Sequence, residues 1–192
     1  MNGIQTLKRA MRVKYLTLRD EMPEDARYDK SAAIAAHLYE TTAYNACREI
    51  FIYNSMGSEA DTRGVIDAAV RGGKTVALPA VNQPPDKNMR FIRYTPGDRL
   101  IKNKYGIYEP APDAEKTMRS GVNTLVIVPG AVFAKDGRRI GYGGGYYDKF
   151  LFGNIYLISV GVCFDLQLDE GVPEGGNDVR TDLVITESGV FE

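Results

Sequence analysis

Tryptophan is absent from the 192-residue chain, histidine occurs once and cysteine twice. A single histidine, His37, excludes every multi-histidine zinc site and leaves little room for a Ser-His-Asp hydrolase. It falls in Ala32–Tyr39, an amphipathic helical stretch far from any glycine-rich motif, so a structural or surface role is expected. Cys47 and Cys163 form neither a metal-spaced CxxC pair nor a disulfide framework. Both are expected as small buried residues in a reduced, cytoplasmic protein. No charge of one sign dominates: 24 Lys and Arg face 25 Asp and Glu, for a net charge of -1. That balance argues against a generic nucleic-acid binder and makes any positive surface local. No apolar run approaches the ~18 residues of a membrane span. Met1–Arg12 also lacks the apolar segment and small-residue cleavage site of a secretory signal. Neither nucleic acid nor membrane is expected as a partner.

What is present is ordinary in amount and informative in order. Hydrophobic residues make up 44% and charged residues 26%, enough to bury a sizeable core in one domain spanning residues 1–192. Ile4, Leu7, Met11, Tyr15 and Leu18 give a helix over Ile4–Glu21 one apolar stripe, with Lys8, Arg9, Arg12, Lys14 and Arg19 on its other sides. Pro23 ends it, and a second helix over Glu24–Tyr39 is expected to bury Ala32, Ala35, Ala36 and Tyr39. Then the pattern alternates. Strands are predicted at Arg48–Tyr53, Thr75–Leu78 (closed by Pro79), Met89–Tyr94, Leu125–Val128, Ile155–Val162 and Leu183–Thr186. Helices are predicted from Asp61 or Thr62 to Arg71, stopped by Gly72-Gly73, and over Tyr146–Phe152. Thr95–Asp113, with the run YGIYEPAP, reads as an ordered loop, and a long loop reaches Gly145. The class is α/β: three layers, a mostly parallel or mixed central sheet flanked by helices, Rossmann-like. Ligands in such folds sit beyond the carboxyl ends of the strands, which nominates Asn54–Glu59, Pro79–Val81, Pro129–Gly145 and the chain from Asp165 onward.

The densest chemical signal is Asp136–Asp148, DGRRIGYGGGYYD. Gly141, Gly143, Gly144 and Gly145 free backbone amides to converge on an anion just before a helix. Arg138, Arg139 and Lys149 bring positive charge, and Asp148 is a hard carboxylate of the kind that holds magnesium. The run is neither G-x-x-x-x-G-K-[ST] nor G-x-G-x-x-G. Glycines alone fit a tight turn equally well; the flanking arginines and tandem tyrosines favour a phosphate site. Lys8 and Arg12, four apart, point the same way and can bridge one anion, though a solvated face is the simpler reading of that feature by itself. In Ser55–Thr62, Glu59 can accept hydrogen bonds from an amino-bearing ligand, and Asp61 is better explained as a helix cap. Asp178 or Asp182 can join Asp148 at a metal, although caps and turns explain lone aspartates more often.

GRRIGYGGGYYDKFL, preceded by LVIVPGAVFAKD, resembles the signature of the 5-formyltetrahydrofolate cyclo-ligase family. LKRAMR, SMGSEADT, GKTVALPAV, MRFIRY, GIYEPAP and NDVRTDLVITE resemble further blocks of that family in order, so the likeness covers essentially the whole chain. It implies an ATP- and magnesium-dependent ligase that closes 5-formyltetrahydrofolate to 5,10-methenyltetrahydrofolate by phosphorylating the formyl oxygen. By the same resemblance Lys8, Arg12, Arg139 and Tyr147 are catalytic. ATP is met by Lys8, Arg9, Ala10, Met11 and Arg12, and by Arg139, Ile140, Gly141, Tyr142, Gly143, Gly144, Gly145, Tyr146 and Tyr147. Folate is met by Asn54, Glu59 and Tyr142–Tyr146, and magnesium by Asp148 and Asp178. Tyr142 stands where some relatives carry arginine, and Arg138 is the expected source of that charge. The chain is expected to act as a monomer. Two other classes stay open: a non-catalytic nucleotide or folate binder, and a sugar-phosphate isomerase or CoA-transferase-like enzyme on a similar layout.

Overall fold

Apolar runs too short for helices and too continuous for surface strands set the architecture. In the computed structural model, which describes residues 2–81, 88–104 and 106–192, the helices α1 (Asn2–Asp20), α2 (Glu24–Glu40) and α3 (Thr42–Ala46) precede β1 (Glu49–Ile52). Next come α4 (Arg63–Arg71), β2 (Thr75–Val81) and β3 (Met89–Arg93), then a ribbon of β4 (Leu100–Lys102) and β5 (Tyr108–Pro110). After β6 (Thr117–Met118) and β7 (Thr124–Val128), the chain makes a hairpin of β8 (Val132–Phe133) and β9 (Arg139–Ile140). The helix α5 (Tyr146–Phe152) and strands β10 (Ile158–Val162), β11 (Leu183–Thr186) and β12 (Gly189–Phe191) follow.

Eight strands form one sheet in the order β12-β11-β10-β7-β1-β2-β3-β6. The five strands from β11 to β2 run parallel, and antiparallel strands extend both margins. This is the three-layer, mixed α/β sheet read from the alternation of strands and helices. Side chains alternate across it. Ile50, Ile52, Leu125, Ile127, Val160 and Val162 join the layer under α2 and α4, while Phe51, Val126 and Val128 join the opposite layer with Leu151 of α5. Both faces are therefore covered, which is why these strands read as unbroken apolar runs. Phe51 stacks on Phe91 at 4.5 Å between ring centroids. On β10, Gly161 leaves room for Phe133, whose ring lies 2.4 Å from where a Cβ would stand.

Several elements depart from their expected form. Buried residues of α2 are Ser31, Ile34 and Leu38, whereas Ala32 and Ala36 are exposed; the larger side chains take the core because they remove more apolar area from water. β2 continues through Pro79 to Val81. Tyr94 N–H donates to the Val76 carbonyl at 2.9 Å, and the alternation from that pair puts Pro79, opposite Phe91, where no N–H toward β3 is needed. The expected loop over Thr95–Asp113 contains the β4–β5 ribbon, and the loop to Gly145 contains the β8–β9 hairpin. Tyr105 of YGIYEPAP lies outside the described residues. Thr62 is the N-cap residue of α4, without a side-chain cap bond, while Asp61 just before it accepts from Arg63 N–H at 2.9 Å; among the described residues His37 makes a contact of 3.3 Å with the Glu187 carbonyl. Cys47 and Cys163 are free and buried. Among the described residues no helix is long and apolar enough to cross a membrane.

Candidate active site

The helix α1 carries the first surprise. Of the expected apolar stripe only Met11 and Tyr15 are buried; Ile4, Leu7 and Leu18 are exposed, while Lys8 and Arg19 are each only 6% exposed. The helix packs Met11 and Tyr15 against Val132 and Ile140 of the β8–β9 hairpin. That packing turns Lys8, Arg12 and Arg19 toward the loops beyond the strand ends. What composition suggested as a solvated basic face thus includes buried cations, Lys8 and Arg19.

Two clusters of charge meet that face. In the first, Lys8 is ion-paired with Asp178, which also accepts from Gly175 N–H at 2.6 Å. Arg139, at the end of the hairpin, donates through Nη2 to Asp148 Oδ1 at 2.8 Å, and Val179 N–H donates to the same oxygen at 3.1 Å. Burial lowers the pKa of the Arg139 guanidinium, while Asp148 and Asp178 both act to raise it, so one cation senses two carboxylates. Its Nε is buried with no hydrogen-bond partner, as is the Tyr147 hydroxyl. Burial also raises the Tyr147 pKa, so the phenol stays protonated. Buried donors without partners are uncommon, and here they call for an acceptor the protein does not supply.

The glycine loop lies beside this cluster. Gly143 and Gly145 have φ of 98° and 72°, conformations that residues with a Cβ rarely adopt. Arg12 Nε donates to the Gly141 carbonyl at 2.7 Å, and the Arg12 guanidinium carbon lies 3.7 Å from where a Gly143 Cβ would stand. An arginine thus lies across the loop. Burial lowers its pKa, and an arginine stays charged all the same.

In the second cluster, Tyr142 donates its hydroxyl to Glu59 Oε1 and receives Arg19 Nη1 at 2.9 Å. Glu59 Oε2 accepts from Met56 N–H at 3.0 Å. Burial raises the Glu59 pKa, opposed by the hydrogen bonds from Tyr142 and Met56 and by Arg19. Arg19 Nε donates to Ser58 Oγ at 2.9 Å, and Ser58 donates to Asp20. Burial and the Glu59 charge raise the Tyr142 pKa, so its hydroxyl remains a donor.

The structure brings together Lys8, Arg12, Arg139, Tyr147, Asp148, Asp178 and the glycine loop, with Glu59 and Tyr142 alongside. Asn54 is half-buried and donates to the Tyr108 carbonyl at 3.2 Å, tying the loop after β1 to the ribbon. Arg9 and Ala10 are exposed on α1. The side chains of Met11 and Ile140 are buried against each other in the core, so a ligand can meet those positions only through backbone. Arg138 does not supply charge at Tyr142. It is paired with Asp136 at 2.8 Å and donates to the Val172 carbonyl at 2.6 Å; Arg19 fills that role instead. Asp182 is separate from the cluster, accepting from Ser159 N–H at 2.8 Å. Arg19 and Ser58 were not singled out from the sequence. Their only signals were an arginine at the end of a basic helix and a serine beside Glu59.

Among the described residues no group of three or more His, Cys, Asp or Glu is arranged to hold a metal ion. Asp148 and Asp178 nevertheless suit magnesium of the kind held by one or two carboxylates together with substrate phosphates. They do not make a cage for a metal alone.

A largely parallel sheet with buried cations, their carboxylates and a glycine loop gathered beyond its strand ends has the layout of an α/β enzyme site. The chain matches the 5-formyltetrahydrofolate cyclo-ligase family over residues 4–187. It is 32% identical over 145 residues to the 5-formyltetrahydrofolate cyclo-ligase of Escherichia coli (strain K12), covering 74% of this chain and 80% of that protein. It is 30% identical over 215 residues to the mitochondrial 5-formyltetrahydrofolate cyclo-ligase of Arabidopsis thaliana, covering 99% and 77%. The NMR structure of Aquifex aeolicus 5,10-methenyltetrahydrofolate synthetase superposes with a TM-score of 0.83 at 26% identity, covering 97% of this chain and 92% of that one. The chain belongs to the 5-formyltetrahydrofolate cyclo-ligase family, a family of enzymes.

Proposed function

We propose that this protein closes 5-formyltetrahydrofolate to 5,10-methenyltetrahydrofolate at the expense of ATP, releasing ADP and phosphate. Beyond family membership, the observation that carries the reading is the unpartnered, buried Nε of Arg139 beside the glycine loop. A guanidinium with a donor to spare, Lys8 and Arg12 nearby and glycine amides alongside suit a triphosphate.

In this reading the formyl oxygen attacks the γ-phosphorus and ADP leaves. The neighbouring folate nitrogen then attacks the activated carbon, loses its proton, and phosphate departs as the ring closes. No protein nucleophile is needed, in keeping with a chain that has one histidine. Lys8, Arg12 and Arg139 orient the phosphates and offset the charge that develops on the transferring group. Glu59 accepts hydrogen bonds from the amino-bearing pterin ring, and Tyr142 to Tyr146 lie between the two ligands. Tyr147 donates its buried hydroxyl. Magnesium bound with the nucleotide neutralises phosphate charge, with Asp148 and Asp178 as the residues to hold it. The proposal extends to one functional domain over residues 1–192, acting as a monomer in the cytoplasm.

The test mixes purified protein with 5-formyltetrahydrofolate, magnesium and ATP and follows the ultraviolet absorbance of the methenyl product. An ATP-dependent rise matched by ADP release is expected. Saturable ATP binding with no rise would defeat the reaction and leave a non-catalytic binder.

A further inference from the structure

Arg19 lies outside every motif that suggests nucleotide or folate chemistry, yet it is as buried as Lys8 and Arg139. It carries no direct ion pair among the described residues. Its Nε donates to Ser58 Oγ and its Nη1 to the Tyr142 hydroxyl, each at 2.9 Å, and those hydroxyls in turn donate to Asp20 and Glu59. The direction of every bond is forced. A guanidinium only donates, so each hydroxyl must accept from Arg19 and spend its single proton on a carboxylate. A Tyr142 hydroxyl without Arg19 can rotate or accept from Glu59's own ligand; with Arg19 it has one orientation left.

We propose that Arg19 is a positioning residue for the folate side of the site: through the Tyr142 hydroxyl it fixes Glu59 as an oriented acceptor for the amino groups of the pterin ring. The inference rests on the folate reading of Glu59 given above. Arg19 touches no reacting atom. Its work is to hold the Tyr142 hydroxyl in the one orientation that donates to Glu59, while its Nε, bonded to Ser58 and through it to Asp20, anchors the guanidinium itself. The groups facing Glu59 are Arg19 from α1, Tyr53 from the end of β1, Tyr142 from the glycine loop and Tyr147 from α5, with Asp20 reached through Ser58. Arg19 is the single cation among them. The Tyr142 ring, 46% exposed, lies 5.8 Å from the guanidinium and offers its open face to a ligand.

The experiment compares wild type with Arg19→Met, Arg19→Lys, Tyr142→Phe and the Arg19→Met/Tyr142→Phe double variant. Arg19→Met is expected to raise the KM for folate about tenfold while the KM for ATP stays within about twofold, the loss of one charged hydrogen-bond relay. Arg19→Lys should recover part of the defect. The double variant should bind folate no worse than Tyr142→Phe alone, because Arg19 acts through that hydroxyl. Additive losses, a parallel rise in the KM for ATP, or an unmoved folate KM would overturn the proposal. Should Arg19→Met fail to fold, Tyr142→Phe decides by itself: it removes one hydroxyl from an exposed ring, and an unchanged folate KM counts against the idea. Absence of turnover in wild type would defeat the proposed reaction without touching the wiring. The carboxyl carbon NMR shift of Glu59, titrated in ligand-free protein, then gives the answer. Both Arg19→Met and Tyr142→Phe should move its midpoint upward, and an unmoved midpoint overturns the proposal.

Discussion

Arg139 meets Asp148 directly at 2.8 Å and Lys8 meets Asp178 directly, whereas Arg19 reaches Asp20 and Glu59 only through the hydroxyls of Ser58 and Tyr142. The two clusters use the same residue types and differ in wiring. A direct pair leaves the cation with unused donors, such as the Arg139 Nε, so an arriving anion can share it. In the relay it is the hydroxyls that have no choice, because each has a single proton and that proton already goes to a carboxylate. The first arrangement suits a ligand that brings negative charge; the second fixes a carboxylate for a ligand that brings N–H groups. Breaking a pair from the first should therefore cost differently from cutting the relay.

The largest effect is expected from Arg139→Met. It removes the unpartnered donor and leaves Asp148 half-buried with only the Val179 N–H, so turnover should fall about 100-fold or more. The melting temperature should fall too, since a carboxylate loses its cation. Single-turnover kinetics and thermal melts check both; near-normal turnover would remove Arg139 from the phosphate side. Lys8→Ala comes next, with a rise of about tenfold in the KM for ATP and little change for folate. Steady-state kinetics in both substrates check it, and the reverse order would move Lys8 across the site.

The smallest effect concerns pH. Burial raises the Glu59 pKa from its ordinary value, so folding shifts its titration toward the protonated form. As pH rises past the unfolded value, ionised Glu59 costs the fold stability; as pH falls, the site loses its acceptor sooner than a solvated carboxylate would. Glu59→Gln should weaken folate binding at neutral pH, flatten the acid limb of the folate KM profile, and raise the melting temperature at pH 7. A steeper acid limb in the variant would assign that limb to another group.

The strands under the site were legible because burial on both faces leaves Phe51, Ile52, Leu125–Val128 and Val160 no polar alternation to disguise them. The glycine loop was legible because its residues are contiguous. The face of α1 was not. Lys8 and Arg19 look like solvated cations until their partners arrive from residues 170 and 123 positions away. Helical periodicity assigns apolar residues to the core and cations to water, and that rule fails where a helix borders a polar cleft. Arg138 illustrates the opposite error. It sits inside the motif, yet its neighbour Asp136 and the carbonyls near Val172 draw it away from the ligand side. Proximity in sequence to a glycine loop did not decide which arginine serves it. Ala32 and Ala36 were misplaced because a run of alanines gives no contrast in size from which to choose a face.

The tie between Lys8 and Asp178 has a consequence for how the protein comes into being. The helix α1 is made before every strand, but its lysine meets its carboxylate only after the loop that follows β10 has been made. Until then Lys8 has no acidic partner, whereas Arg19 reaches Asp20 through Ser58 much earlier in the chain. The tie between head and tail thus forms late, and a chain released before Asp178 keeps β1, β2, β7 and β10 and lacks it.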